Sequence, residues 1–177
     1  GRAAGEVNVN TTIRIGTQGW SYDDWKGVFY PPGAKQEDRL PFYSTVFDTV
    51  ELDTTFYHAP RGTIARSWER HTGDDFRFAA KVPRAITHEG RLRGVGEQLD
   101  LFVRAMEPLG EKLGPLLLQM PAEFRRDDET LRDLDLFLGA RPSLHLTGFD
   151  NPEQIVVAFV IVTAAAAATL LRNRLAG

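Results

Sequence analysis

Short apolar stretches recur along the chain, and helical patterns or loops rich in glycine and proline separate most of them. Four of these stretches have the length and residue types of buried strands: Thr12–Thr17, Thr49–Asp53, Phe76–Val82 and Pro115–Gln119. Strands that alternate with helices are typical of βαβ units and of a parallel sheet. In such sheets functional residues lie at the carboxyl ends of the strands. The pattern therefore predicts an α/β fold with about four βα units and a site at those strand ends.

Three helices are predicted from apolar residues that recur every three or four positions. The longest runs from about Val95 to Leu113, and Pro108 breaks or kinks its last turn. A second begins at Asp128, ends at Gly139 and turns three leucines inward, which are Leu131, Leu134 and Leu138. A shorter helix between the first two strands has Pro41 in or near its first turn, and its apolar residues are Leu40, Tyr43 and Phe47.

Composition places the chain among ordinary soluble domains. It has 177 residues, of which 42% are hydrophobic and 25% charged, enough for one buried core. A net charge of −3 disfavours nucleic acid and anionic membranes as partners, so any anion site must be local. The absence of cysteine excludes disulfides and thiolate metal sites. Residues 1–12 are small and polar and lack the apolar core of a signal peptide, so we expect a flexible lead-in.

Two carboxylates end the second predicted strand. Alternation puts Glu51 and Asp53 on the same side of it, near its carboxyl end. Such a pair suits general acid and base chemistry or a divalent cation such as Mg²⁺, although the sequence requires no cofactor. The alternative is structural: Glu51 pairs with Lys81, and Asp53 caps the following turn.

A lysine ends the third predicted strand. Lys81 shares a side of that strand with Ala79 and Arg77. It could hold a phosphate or carboxylate group, or form a Schiff base if burial lowers its pKa. Pairing with Glu51 is the competing interpretation, and the two are compatible.

The loop after this strand is basic. Arg84, Arg91 and Arg93, with Lys81 included and the acid Glu89 subtracted, give it a local formal charge of +3. Guanidinium groups on a loop suit phosphate, so Arg84 and Arg91 are predicted to bind an anionic substrate. His88 lies between them in sequence and is predicted to carry a proton, or to bind a metal together with Glu51.

Aromatic and amide side chains complete the predicted site. Trp20, Tyr22 and Trp25 follow the first strand, where they could stack on a sugar or base, although packing is the favoured interpretation. Trp20, Asp53 and Tyr57 are predicted substrate contacts. Gln119 either orients a substrate or satisfies polar groups inside the fold.

Four stretches of this sequence carry a family resemblance. They are IGTQGWSYDDWKGVFYP, FDTVELDTTFYHAP, FRFAAKVPRAITHEGRL and LGPLLLQMP. In content, order and spacing they resemble the YecE-like family, domain of unknown function seventy-two, over about Ile13 to Gly139. The resemblance implies a TIM-type (β/α) barrel and an intracellular, cytoplasmic protein, and it implies no established reaction.

The chain also departs from that family. A complete barrel usually needs about 250 residues, whereas only residues 140–177 follow the match, and the family's later motifs do not appear in them. We therefore expect a partial barrel: a lead-in at 1–12, an N-terminal half barrel at 13–139 and an atypical, non-family or out-of-frame tail at 140–177. Its uncovered half is expected to favour self-association.

The tail contains an apolar run from Ile155 to Leu171. Its β-branched first part and alanine-rich second part predict a strand followed by a helix. A short membrane helix is the less favoured alternative, and a non-native or aggregation-prone end is the third.

Four functions remain open. The first is a small-molecule enzyme for a phosphorylated or carboxylated substrate at the carboxyl face of the barrel, with Lys81 and the arginines holding the anion and Glu51 and His88 moving protons. The second is a metal-dependent hydrolase or isomerase that uses Glu51, Asp53 and His88. The third is a module that binds nucleotide or nucleic acid without catalysis. The fourth is a truncated fragment without function.

Overall fold

Five parallel strands form the sheet in the part of the chain that the structure describes. The structure is a computed structural model, and it describes residues 13–122, 128–139 and 157–159. The strands are β1 (Arg14–Gln18), β2 (Thr49–Leu52), β3 (Arg77–Lys81), β4 (Leu113–Leu117) and β5 (Val157–Phe159). Their order is β4-β3-β2-β1-β5, and every neighbouring pair is parallel. The predicted α/β fold is confirmed, whereas the described strands do not close into a barrel, and the TIM-type barrel stays a prediction.

Four α-helices accompany the sheet among the described residues. They are α1 (Gln36–Ser44), α2 (Gly62–Arg70), α3 (Gly96–Met106) and α4 (Asp128–Gly139). The long predicted helix is divided as expected, because α3 ends at Met106 and a 3₁₀ helix with Pro108 in its first turn follows over Glu107–Lys112. The other short helices are a 3₁₀ turn at Asp23–Trp25, another at Thr54–Phe56 and a π-helix at Ala85–Glu89.

Two details of the predicted helices were wrong, whereas the position of Pro41 agrees with the prediction. Pro41 lies in α1 close to its first turn, because the Lys35 backbone N–H donates to the Asp38 carboxylate (3.1 Å) and starts the helix at Gln36. Leu131 is exposed, because α4 turns Leu134 and Phe137 toward the core instead. Helix α2 was not predicted at all.

The core lies mainly between the sheet and the helices. Val50 and Leu52 of β2 and Phe78 and Ala80 of β3 belong to one buried cluster together with side chains of the helices. Trp68 of α2 stacks on Phe78 at 6.2 Å between ring centroids. Alternation then turns Glu51 and Lys81 to the opposite face of the sheet.

Strands β4 and β5 lie at the two ends of the strand order, and both were predicted from sequence. Strand β4 begins two residues earlier than predicted, and Pro115 is accommodated inside it because β4 has no further neighbour among the described strands. Strand β5 pairs with β1 from Arg14 opposite Val157 onward, so a strand is confirmed at these three residues and a membrane helix is not formed there. The rest of the predicted tail lies outside the described residues.

Candidate functional site

The carboxyl ends of β2 and β3 hold a buried ion cluster of Glu51, Asp53 and Lys81, here named the lysine cluster. Lys81 Nζ lies 3.0 Å from Glu51 Oε1 and 2.6 Å from Asp53 Oδ1. The side chains of Lys81 and Glu51 are only 11% and 7% exposed, whereas that of Asp53 is 36% exposed. One ammonium therefore neutralises a buried carboxylate and also holds a second carboxylate that solvent reaches.

Strand register explains why these three side chains meet. β2 and β3 are parallel neighbours with Glu51 opposite Ala79 and Leu52 opposite Ala80, so the residues at the two strand ends lie side by side. The turn after β2 is fixed by Thr55, whose buried hydroxyl contacts the carbonyl oxygens of Leu52 (2.6 Å) and Lys81 (2.7 Å). Asp53 makes no side-chain capping bond to this turn, so the predicted capping role is wrong and its carboxylate binds Lys81 instead.

The electrostatics of the cluster keep Lys81 charged. Burial acts to lower the pKa of Lys81, but hydrogen bonds to Asp53 and Glu51 and the charges of both carboxylates outweigh it, so the pKa is raised above its usual 10.5. A Schiff-base lysine needs the opposite shift. The geometry therefore favours Lys81 as an ammonium donor.

The loop after β1 contributes Tyr22, which the sequence analysis grouped with Trp20 and Trp25 as aromatics that either pack or stack on a sugar or base. Gln18 lies opposite Glu51 in the sheet, and the Gly19 N–H donates to the Glu51 carbonyl (2.9 Å). The Tyr22 hydroxyl donates back to the Gln18 carbonyl. Burial raises the pKa of Tyr22, and the carboxylates of Asp53 and Glu51 raise it further against the effect of Lys81. Through Gln18, Tyr22 is held at the same strand-end edge of the sheet as the lysine cluster.

The other predicted substrate contacts are more scattered. Trp20 is half-buried and packs edge to face on Trp68, with ring centroids 5.8 Å apart. Gln119 is exposed and lies two residues past the end of β4, so it does not satisfy polar groups inside the fold. Tyr57 is 64% exposed and packs edge to face on Phe56. Within the described residues, no hydrogen bond or ion pair joins Trp20, Tyr57 or Gln119 to the lysine cluster.

The aromatic residues after β1 divide between core and surface. Trp25 is buried, 4% exposed, and packs on Phe29 and Tyr30 at 5.2 and 6.0 Å between ring centroids. Tyr22 is 42% exposed and packs on the edge of this group through Trp25 at 5.0 Å. Packing was the favoured interpretation for these aromatics, and it holds for Trp25, whereas Tyr22 keeps part of its ring in solvent.

The basic loop is less available to an anion than its sequence indicated. Arg84 lies 3.6 Å from Glu89, and Arg93 binds Glu129 (2.7 Å) and Asp133 (2.6 Å) of α4. The local charge of +3 left out these acids of α4, because they lie more than thirty residues further along the chain. Across the part of the chain that the structure describes, Arg91 makes no ion pair, and it is exposed with a φ of 48°.

His88 lies in this loop apart from the carboxylates. Its Nδ1 is 3.0 Å from the Thr87 hydroxyl, and its ring packs edge to face on Phe56 at 5.1 Å. In residues 13–122, 128–139 and 157–159, no three histidine or acidic side chains are grouped so that they could hold a metal ion. The predicted combination of Glu51, Asp53 and His88 as metal ligands is therefore not assembled in this part of the chain.

Two cavities lie away from the lysine cluster. One of about 300 Å³ lies between the loop Leu92–Gly96 and the Phe137 side of α4. The other, of about 280 Å³, is lined by residues 44–48 and 73–76, before β2 and β3 begin. The charged cluster thus stands at the carboxyl edge of the sheet rather than in either cavity.

Residues 14–152 match the family described as "Protein of unknown function DUF72". The chain belongs to this family. It is 34% identical over 112 residues to the UPF0759 protein YecE of Escherichia coli (strain K12), a match that covers 63% of this chain and 39% of YecE. It is 32% identical over 120 residues to the UPF0759 protein YunF of Bacillus subtilis (strain 168), covering 63% of this chain and 41% of YunF. The matched part thus amounts to about two fifths of the length of either curated relative.

Solved structures of DUF72 family proteins share this fold. The protein from Thermotoga maritima superposes with a TM-score of 0.63 at 29% identity, over 91% of this chain and 61% of that one. A DUF72 family protein from Enterococcus faecalis gives a TM-score of 0.60 at 22% identity, over 93% of this chain and 56% of its own. The predicted resemblance is confirmed, and the family match continues past Gly139 to residue 152. Within the described residues, no helix has both the length and the apolar character of a membrane span.

Proposed function

We propose that this DUF72 chain carries the catalytic edge of a small-molecule enzyme, in which the Lys81 ammonium donates a hydrogen bond to a substrate oxygen. The observation that supports this is the burial of Lys81 between two carboxylates at the carboxyl ends of two neighbouring parallel strands. A buried ion pair is costly, and apolar residues often stabilise a fold equally well. The carboxyl edge of a parallel sheet is the usual location of catalytic residues. A costly ion cluster at this edge therefore supports a catalytic role.

The three residues take different roles in this proposal. An ammonium has three N–H groups, and two of those of Lys81 are directed at Glu51 and Asp53, which leaves one for a substrate oxygen. Asp53 is the more exposed carboxylate and is the group that accepts or returns a proton. Glu51 is almost fully buried, so it holds the ammonium in place, whereas the sequence analysis predicted it as a proton carrier.

The charge of the cluster bears on the substrate. Two carboxylates and one ammonium give a formal charge of −1, which opposes the predicted phosphate or carboxylate at Lys81 itself. An anionic substrate is therefore supported only through Arg91, whose guanidinium is exposed and makes no ion pair within the described residues. The metal-dependent and nucleic-acid hypotheses have no comparable support, because His88 contacts other groups and Arg93 is paired with α4.

A metabolite-depletion experiment tests the proposal. The purified chain is incubated with a bacterial metabolite extract, and mass spectrometry follows the change in each compound. We expect at least one metabolite to be converted, and Lys81→Met to slow this conversion by about 10²-fold or more, as the loss of a preorganised donor does in other enzymes. The matched control is Lys112→Met, which removes a lysine that is equally buried but pairs with Glu69 on the helical side. No conversion, or conversion that survives Lys81→Met, would refute the proposal.

A further inference from the structure

Tyr22 is held in place on one side and exposed on the other. Its hydroxyl is tied to the Gln18 carbonyl at the end of β1, and its ring packs on Trp25 with centroids 5.0 Å apart. The side chain nevertheless remains 42% exposed. Because Gln18 lies opposite Glu51 in the sheet, the Tyr22 side chain lies at the same edge of the sheet as the lysine cluster.

The cluster leaves both donors and acceptors unused. Lys81 has one N–H that no described residue accepts, and Asp53 binds Lys81 through Oδ1 while its Oδ2 has no hydrogen-bond partner in the described part of the chain. A charged donor next to a charged acceptor matches two adjacent hydroxyl groups, each of which donates and accepts. The net negative charge of the cluster disfavours a phosphate or carboxylate in the same place.

We propose that the ligand at this edge is an uncharged ring that bears hydroxyl groups, such as a sugar or a cyclitol, and that Tyr22 positions it by ring-to-ring packing. This inference rests on the proposed function and adds the substrate class and one positioning residue. Lys81 and Asp53 bind neighbouring hydroxyl groups, and the apolar face of the ligand lies on Tyr22. The Tyr22 hydroxyl stays engaged with Gln18, so the contribution of this residue comes from its ring.

Saturation-transfer NMR with matched probes tests the inference. The probes are glucose, galactose, ribose and myo-inositol, each compared with its own monophosphate. We expect at least one uncharged probe to receive saturation from the wild-type chain and its phosphate ester to receive less. Asp53→Asn and Tyr22→Ala should each weaken this binding about tenfold or more, whereas Tyr22→Phe keeps the ring and should change it by less than about threefold.

Ile64→Ala is the matched control, because Ile64 is 43% exposed, close to the exposure of Tyr22, and lies on α2. Circular dichroism confirms that each variant is folded. Stronger binding of the phosphate esters would overturn the substrate class, and equal binding by wild type and Tyr22→Ala would overturn the role of Tyr22. Neither result changes the outcome of the metabolite-depletion test, so the two proposals can fail separately.

Discussion

Removing the ammonium of the lysine cluster should destabilise the protein more than removing both buried charges. In Lys81→Met the replacement keeps the length and most of the apolar surface of the side chain. It leaves the Glu51 carboxylate, only 7% exposed, without its cation. Breaking a buried pair by removing one partner costs about 3 to 5 kcal/mol, which is a large share of a total stability of about 5 to 15 kcal/mol.

The double variant Lys81→Met/Glu51→Gln separates charge from packing. With both buried charges removed, we expect the free energy of unfolding to return to within about 1 to 2 kcal/mol of wild type. Asp53→Asn should cost less than about 1 kcal/mol, because a pair with a partly exposed partner is weak. Urea denaturation followed by tryptophan fluorescence measures each value by linear extrapolation.

Two outcomes would refute this reasoning. A loss below about 1 kcal/mol in Lys81→Met would mean that solvent reaches Glu51 and that the pair is effectively a surface pair. A double variant as unstable as the single one would mean that packing, and not the uncompensated charge, determines the loss. The unfolding slope must stay constant across the series for these comparisons to hold.

Two further predictions concern the helical side and alkaline pH. Lys112→Met should lower the free energy of unfolding by about 2 kcal/mol, because Lys112 Nζ donates to the carbonyl oxygens of Glu69 (2.6 Å) and Thr72 (2.9 Å) where α2 ends; an unchanged urea midpoint would contradict it. The folded-state pKa values of Lys81 and Tyr43 are raised, Lys81 above 10.5 and Tyr43 by burial from 10.0 to about 12. Both groups therefore stabilise the fold fully at pH values below their unfolded-state pKa, and this stabilisation is lost as pH rises through their folded-state pKa. Urea midpoints should fall above about pH 10, and the fall should be less steep in Lys81→Met.

The strand-end residues could be predicted from sequence because strand periodicity is local. Two-residue alternation is enough to put Glu51 and Lys81 on the same side of their strands, and pairing of consecutive strands then brings the two side chains together. The identity of the pair was therefore foreseen. The binding of Asp53 to Lys81, in place of a capping bond to the turn, was not predicted. It depends on the angle at which the chain leaves β2.

Longer-range contacts escaped the sequence analysis. Arg93 was counted as a free cation because Glu129 and Asp133 reach it only when α4 packs against the loop. Tyr22 was not predicted as a site residue, because its position depends on the short 3₁₀ turn at Asp23–Trp25. That turn has no hydrophobic period in the sequence. Helix α2 has few apolar positions, and one of them, Ile64, faces solvent, so its pattern was too weak to predict a helix.

The pairing of β5 with β1 has a consequence for biosynthesis. Arg14 lies opposite Val157, so one side of β1 receives its partner only after more than 140 further residues have been made. At about 5 to 20 residues per second, translation needs on the order of 7 to 30 s to reach that point. Among the described strands nothing else pairs with this side of β1. During synthesis it is an unpaired edge that other nascent chains can join, and slower translation between β1 and β5 lengthens that exposure.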